Sequence, residues 1–316
     1  MSKPTNTTSP REDVYSRVTA RIVADLEQGA RPWLKPWSVT HTAGRITRPL
    51  RANGQAYRGM NVLLLWSEAV ANGYAAPIWM TYKQAQELGA QVRKGERGSL
   101  VVYANSVTKT ETDAQGDEHE RSIPFMKGYT VFNVEQVEGL PAHYYAQPTQ
   151  PQPMATRIES AERFAASTRA DIRHGGNRAF YAPARDFVQM PPFEAFKDAE
   201  SYYATLTHEL THWTGHASRC AREFEKGHRF GSEGYAFEEL VAELGAAFLC
   251  ADLGITPEVR DDHAAYLASW LKVLKQDKRA IFSAAAHAQR AADFLLALQP
   301  SAESATESNA EIQAAA

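Results

Sequence analysis

The chain has 316 residues, 44% of them hydrophobic and 22% charged, which is enough apolar material for one large or two ordinary cores. No run of 18 or more apolar residues occurs and the first residues, MSKPTNTTSPRED, are polar, so the sequence predicts no membrane span, no secretory signal and a cytoplasmic protein. Two cysteines without CxxC spacing argue against a disulfide framework or a cysteine zinc ribbon, and the net charge of −3 hides a balance of +8 across residues 28–110.

In chain order, Val14, Val18, Ile22, Val23 and Leu26 recur at helical spacing within residues 10–30, and Gly29 followed by Pro32 stops that helix. A Trp/Pro segment, RPWLKPW, leads to the turn-like RANGQAYRGMN, an apolar helix over 60–72, and a third helix in TYKQAQELGA ended by Gly89. Residues 99–134 alternate as two strands around an acidic turn at 113–120 and predict a hairpin. The proline- and glutamine-rich stretch at 140–155 carries neither period and reads as an extended linker. Behind it come a helix at 156–173, short strands in RAFYAPARDFVQMP, and mostly helix from 198 to 298, with Thr256 and Pro257 at the N-cap and first position of one helix. The expected architecture is α+β in two domains, 10–140 and 156–298, joined by a linker at 141–155 and followed by a disordered tail at 299–316.

The segment SYYATLTHELTHWTGH holds the clearest chemistry. His208 and His212, at i and i+4, share a helix face and can converge on one cation, with Glu209 placed to deprotonate a water bound there: this is the HExxH zinc-peptidase signature. A longer HExxHxxGxxH pattern fits as far as Gly215 and fails at Ser218. A third ligand must come from elsewhere, and YAFEELVAELGAAFLCADLG offers Glu238, Glu239 and Glu243. On a helical wheel Glu239 and Glu243 lie with Ala242 and Ala246, opposite Phe237, Leu240, Val241, Leu244 and Phe248, and spacing does not separate ligand from supporting acid. This second half resembles the gluzincins, in which a glutamate from a second helix completes the site; the resemblance implies Glu239 as ligand and Glu243 as the acid supporting a histidine. His216 is a rival ligand, although Gly215 is placed to end the helix and turn it away, and Tyr235 is a candidate donor to an oxyanion. The implied cofactor is Zn2+ or another divalent ion.

The basic residues of 28–110 are interleaved with Trp33, Trp37, Tyr57, Trp66, Tyr74, Trp79, Tyr82 and Tyr103, a composition suited to single-stranded nucleic acid. The other reading makes the tryptophans core residues and the charges a solvated face. Arg58, Arg93, Lys94 and Arg97 are the candidate phosphate contacts, in the loops AYRGMN and VRKGERGS, with Trp33 and Trp79 as candidate stacking residues.

Four separated stretches, YRGMNVLLLW, GYAAPIWMTYKQAQELGAQVRKGERG, HELTHWTGH and YAFEELVAELGAAFL, resemble the ArdC-type antirestriction proteins of conjugative plasmids, which are related to the N-terminal region of TraC-type primases. The likeness runs from about residue 10 to 298. It implies a single-stranded-DNA-binding domain followed by a zincin-like metallopeptidase domain, a role in protecting incoming plasmid DNA from restriction, and host restriction-modification proteins as possible partners. It marks Tyr57, Arg58, Asn61 and the VRKGERG loop as front-domain signature positions. The competing expectation is a cytosolic zinc peptidase whose front domain recognises a protein. No primase extension follows residue 298, so primase activity is not implied.

Overall fold

The structure, a computed structural model, describes residues 13–29, 31, 33, 47–112, 118–145, 154–222, 233–255 and 263–300. The chain divides into two units, each α+β in its elements. Unit 1 comprises Met1–Pro32, Pro49–Ala146 and Leu274–Ile281; unit 2 comprises Trp33–Arg48, Gln147–Val273 and Phe282–Ala316. The expected domains are contiguous, whereas the two units exchange residues 33–48 and 274–281. Polar contacts of long sequence separation hold 274–281 in unit 1: the Thr19 hydroxyl donates to the Lys278 carbonyl at 2.7 Å, and Lys275 pairs with Glu27 at 2.6 Å.

Unit 1 starts with α1 (Val14–Glu27), capped by the Asp13 carboxylate accepting from the Ser16 amide, with Val18, Ile22 and Leu26 buried at the anticipated spacing. After β1 (Leu50–Arg51) comes α2 (Met60–Asn72), buried from Val62 to Trp66 and ended by Gly73 in the left-handed conformation. Next follow β2 (Ile78–Met80), the short α3 (Tyr82–Glu87) with a capping box between Thr81 and Gln84, and β3 (Gln91–Val92). The hairpin strands β4 (Ser99–Thr112) and β5 (Glu118–Asn133) pair antiparallel from Ser99 opposite Val131 to Thr112 opposite Glu118. Only the root of this ribbon joins a wider sheet, of order β1-β2-β5-β4, because β2 meets β5 at Phe132 and Asn133 alone. The strand β6 (Val137–Glu138) pairs with β3.

Unit 2 contains α4 (Met154–Thr168), a three-stranded sheet of β7 (Asp171–His174), β8 (Phe180–Ala182) and β9 (Phe187–Met190), the helices α5 (Ala199–Trp213) and α6 (Glu233–Leu253), and most of α7 (His263–Gln276) and α8 (Ala280–Ala297), of which residues 274–276 and 280–281 belong to unit 1. The order is β7-β9-β8, with β7 parallel and β8 antiparallel to the central β9. The helix expected over 156–173 stops five residues early. The Thr168 hydroxyl turns back onto the Ala165 carbonyl and receives the Ala170 amide, Arg169 takes a left-handed φ of 55°, and Asp171–His174 then pairs with β9. The expected cap at Thr256 and Pro257, Trp37, and the tail beyond residue 300 lie outside the described residues.

Candidate metal centre

The helix α5 is capped by Asp198, whose carboxylate accepts from the Ser201 amide at 2.8 Å, and it is buried over most of its length. It packs against α6, β8 and β9. The contact with α6 is close because Gly245 faces Thr211: a Cβ on the glycine would stand 2.5 Å from Thr211 Cγ2. That approach brings the carboxylates of α6 onto the histidines of α5.

His208, His212 and Glu239 converge. The two Nε2 atoms are 3.2 Å apart, Glu239 Oε2 lies 3.5 Å from His208 Nε2, and Glu239 Oε1 lies 3.6 Å from His212 Nε2. A tetrahedral ion with bonds of about 2.0–2.1 Å spaces its ligand atoms by about 3.3 Å, so these two imidazoles and one carboxylate fit a divalent metal. Behind the ligands, Glu243 Oε2 faces His208 Nδ1 at 3.6 Å and Glu238 Oε1 faces His212 Nδ1 at 3.4 Å. Each ligating histidine therefore has its own acid against the far ring nitrogen, the arrangement that fixes tautomer and ring orientation. Glu209 is buried on α5 beside His208. His216 is placed elsewhere, with its Nδ1 2.8 Å from the Ser218 hydroxyl.

The electrostatics follow from this crowding. Burial pushes both imidazoles towards neutrality, yet Glu239 with Glu243 raises His208 above its ordinary pKa, and Glu239 with Glu238 does the same for His212. Burial likewise penalises the Glu239 carboxylate, but the two histidines hold it well below the usual range. Tyr235 sits nearby, its hydroxyl 3.4 Å from that of Tyr266, and burial, Tyr266 and Glu239 together push its pKa far up, so it keeps its proton.

Two contributors escape the motif. Arg222 is buried; its guanidinium grips Glu238 at 2.9 Å and also donates to the Thr211 carbonyl and the Thr214 hydroxyl. Tyr266, from α7, is the other. Neither lies within a recognisable spacing of HExxH, and a buried arginine announces itself only once its partner is known.

The front-domain candidates do not converge. Trp33 and Trp79 are fully buried: Trp33 packs edge-on to Trp270 in unit 2, and Trp79 packs against Tyr74 in unit 1. Neither indole offers a face on which a base could stack, which corrects the stacking expectation for these two residues. Tyr57 is buried as well, with the Arg51 guanidinium 5.4 Å above its ring. The Asn61 amide donates to the Val102 carbonyl and accepts from the Val102 amide. Arg58, Arg93, Lys94 and Arg97 are exposed, and Arg93 is paired with Glu96 at 2.7 Å.

Residues 12–132 match the family described as the N-terminal domain of anti-restriction factor ArdC, and residues 159–287 match a zincin-like metallopeptidase family. The metal-free crystal structure of antirestriction protein ArdC from plasmid R388 superposes with a TM-score of 0.76 at 47% identity, covering 91% of this chain and 98% of that one. The chain belongs to the ArdC antirestriction family. The same R388 protein has also been solved with Mn(II) bound, at TM-score 0.73 and 46% identity over 91% of this chain and 98% of that one. Protein y4eC of Sinorhizobium fredii is 50% identical over 92% of this chain and 94% of its own length. A DNA primase TraC of Escherichia coli is 41% identical over 92% of this chain, which spans only 27% of that primase. Membership of the ArdC family, with its zincin-like part, supports a divalent metal, and His208, His212 and Glu239 are a group that could hold one. Among the described residues no helix is long and apolar enough to cross a membrane.

Proposed function

We propose that this chain works in the cytoplasm to protect incoming plasmid DNA from restriction during conjugation, combining a front domain that binds single-stranded DNA with a rear domain that acts as a zinc peptidase. The convergence of His208, His212 and Glu239, each histidine backed by its own carboxylate, carries the reading. Two imidazoles and one carboxylate form a catalytic zinc donor set. The likeness to ArdC of R388 and to TraC primases supports the DNA-binding half.

A divalent ion held there supplies Lewis acidity towards a peptide carbonyl and acidifies water. Glu209, buried beside His208, is the residue to take the proton of the attacking water and return it to the leaving amine. Tyr235, held protonated, is the donor for the carbonyl oxygen as it gains charge. The edge strand β8 offers backbone groups to an extended peptide. Host restriction-modification proteins are the substrates this reading nominates.

The test pairs metal content with protection of unmodified plasmid entering a restricting host, for the wild type and Glu209→Gln. A variant that keeps its metal and loses protection assigns the peptidase chemistry to the biological role. One that keeps both leaves masking of DNA by the front domain as the route.

A further inference from the structure

Four of the exposed large hydrophobic residues of unit 1, Tyr103, Val107, Ile123 and Tyr129, lie on the ribbon of β4 and β5, each more than 40% exposed. Its register places Val101 opposite Tyr129, Tyr103 opposite Lys127, Asn105 opposite Phe125, Val107 opposite Ile123 and Lys109 opposite Arg121. Residues directly opposite share a face and side chains alternate along each strand, so all of these positions belong to one face. The reverse face carries Ala104, Ser106, Thr108, Ser122, Pro124 and Met126 along the outer ribbon, and its aromatic ring, Phe132, lies at the root, partly buried against Tyr82. Towards the root, the aromatic face runs into Val101 and Val131, both buried. A core face thus continues outward past the end of its core.

The rings and charges on that face form a pattern. Tyr103 stands 6.2 Å from Phe125 and 6.3 Å from Tyr129 between ring centroids, inclined at 54° and 81°, so neither pair stacks away both of its faces. Lys127 lies between Phe125 and Tyr129 along the strand, its ammonium 5.4 Å from the Phe125 centroid. The paired segments 99–109 and 121–131 contain Lys109, Arg121 and Lys127 and no acidic residue, while the acids of the hairpin begin at Glu120, opposite Thr110, and continue towards the tip. The centre of a protein-docking patch is depleted of lysine, whereas aromatic faces interspersed with cations suit unpaired bases and phosphates.

We infer that the aromatic, basic face of the β4–β5 ribbon is the surface on which single-stranded DNA lies, with Tyr103, Phe125 and Tyr129 stacking bases and Lys109 and Lys127 meeting phosphates. The inference rests on the proposal that the front domain binds single-stranded DNA, and it moves the contact away from the buried tryptophans.

Anisotropy of a labelled oligothymidylate with the full chain, over a series of salt concentrations, tests it. Tyr103→Ala/Tyr129→Ala should weaken binding roughly 10- to 100-fold, Tyr103→Phe/Tyr129→Phe should retain it, and Lys127→Gln should lower the salt slope by about 0.7. The substituted rings are exposed, so thermal unfolding should not move. Wild type that binds while the alanine and glutamine variants match it in affinity and slope overturns the ribbon and leaves the DNA reading standing. Wild type that binds no oligonucleotide at any salt overturns both, and a partner protein captured by this face instead has the same meaning. Tighter binding of a duplex than of the single strand also rules out the stacking surface.

Discussion

Gly245 of α6 lies so near Thr211 of α5 that a Cβ added to it would meet Thr211 Cγ2 at 2.5 Å and Oγ1 at 2.8 Å. One missing side chain thereby sets the separation of the two helices that share the metal ligands. Gly245→Ala should cost about 1–3 kcal/mol through overpacking. It should also weaken metal binding, because the strain is relieved by moving Glu239 and Glu243 off the histidines. Adding Thr211→Ala removes the two nearest atoms and leaves a Cβ contact of 3.2 Å, so the double variant should recover part of both losses. Thermal unfolding with and without metal reads the cycle; strict additivity of the two substitutions would show that the pair does not set the spacing.

Arg222 acts on the metal site through Glu238. Its guanidinium neutralises a buried carboxylate that stands against His212 Nδ1. Arg222→Met strands that charge, and breaking a buried pair from one side costs about 3–5 kcal/mol. Glu238→Gln should instead loosen the orientation of His212 and reduce metal affinity roughly 10- to 100-fold. The double change should be more stable than Arg222→Met alone. Denaturant unfolding and a chelator competition assay separate the two effects.

The histidine shifts predict opposite pH behaviour with and without metal. In the metal-free protein, the carboxylates raise the pKa of His208 and His212 above the ordinary 6.5. A group whose pKa is raised on folding stabilises fully below its unfolded value and loses that contribution as pH climbs through the folded value. Apo stability should therefore fall on the alkaline side of about pH 6.5. Metal binding requires both imidazoles neutral, so it expels protons and tightens across the same interval. Calorimetry in buffers of different ionisation enthalpy should record about one proton or more released per ion near neutral pH. Equal heats in all buffers would contradict the assignment.

The part of this architecture legible in the sequence is the part encoded locally. The helix spacing of Val18, Ile22 and Leu26, the stop at Gly89, the hairpin and the i, i+4 histidines all follow from periodicity and turn chemistry. The strand β7 was hidden because Asp171–His174 holds only one apolar residue, Ile172, and owes its form to pairing with β9. The choice of Glu239 over Glu238 and Glu243 rests on how α6 is rotated against α5, a tertiary property: one residue turns the carboxylate from the Nε2 side of the histidines to the Nδ1 side. The aromatic count misled for a related reason. Composition registers rings without their burial, so Trp33 and Trp79 looked equivalent to Tyr103, although only Tyr103 reaches solvent.

Asn61 separates scaffold from contact within the front domain. Its side-chain amide donates to the Val102 carbonyl at 2.8 Å and accepts from the Val102 amide at 2.7 Å. Those are the two bonds a neighbouring strand would make on the free side of β4, which is the edge of its sheet. Asn61→Ala should cost about 1–3 kcal/mol by leaving both backbone groups without this partner. Asn61→Asp should cost more, because it keeps the acceptor but sets a carboxylate against the Val102 carbonyl oxygen. Below the unfolding transition, oligonucleotide affinity should stay at the wild-type value in both variants, since the ribbon face itself is untouched. A loss of affinity in Asn61→Ala without a drop in melting temperature would make this residue a DNA contact and not the strand-edge brace its geometry describes.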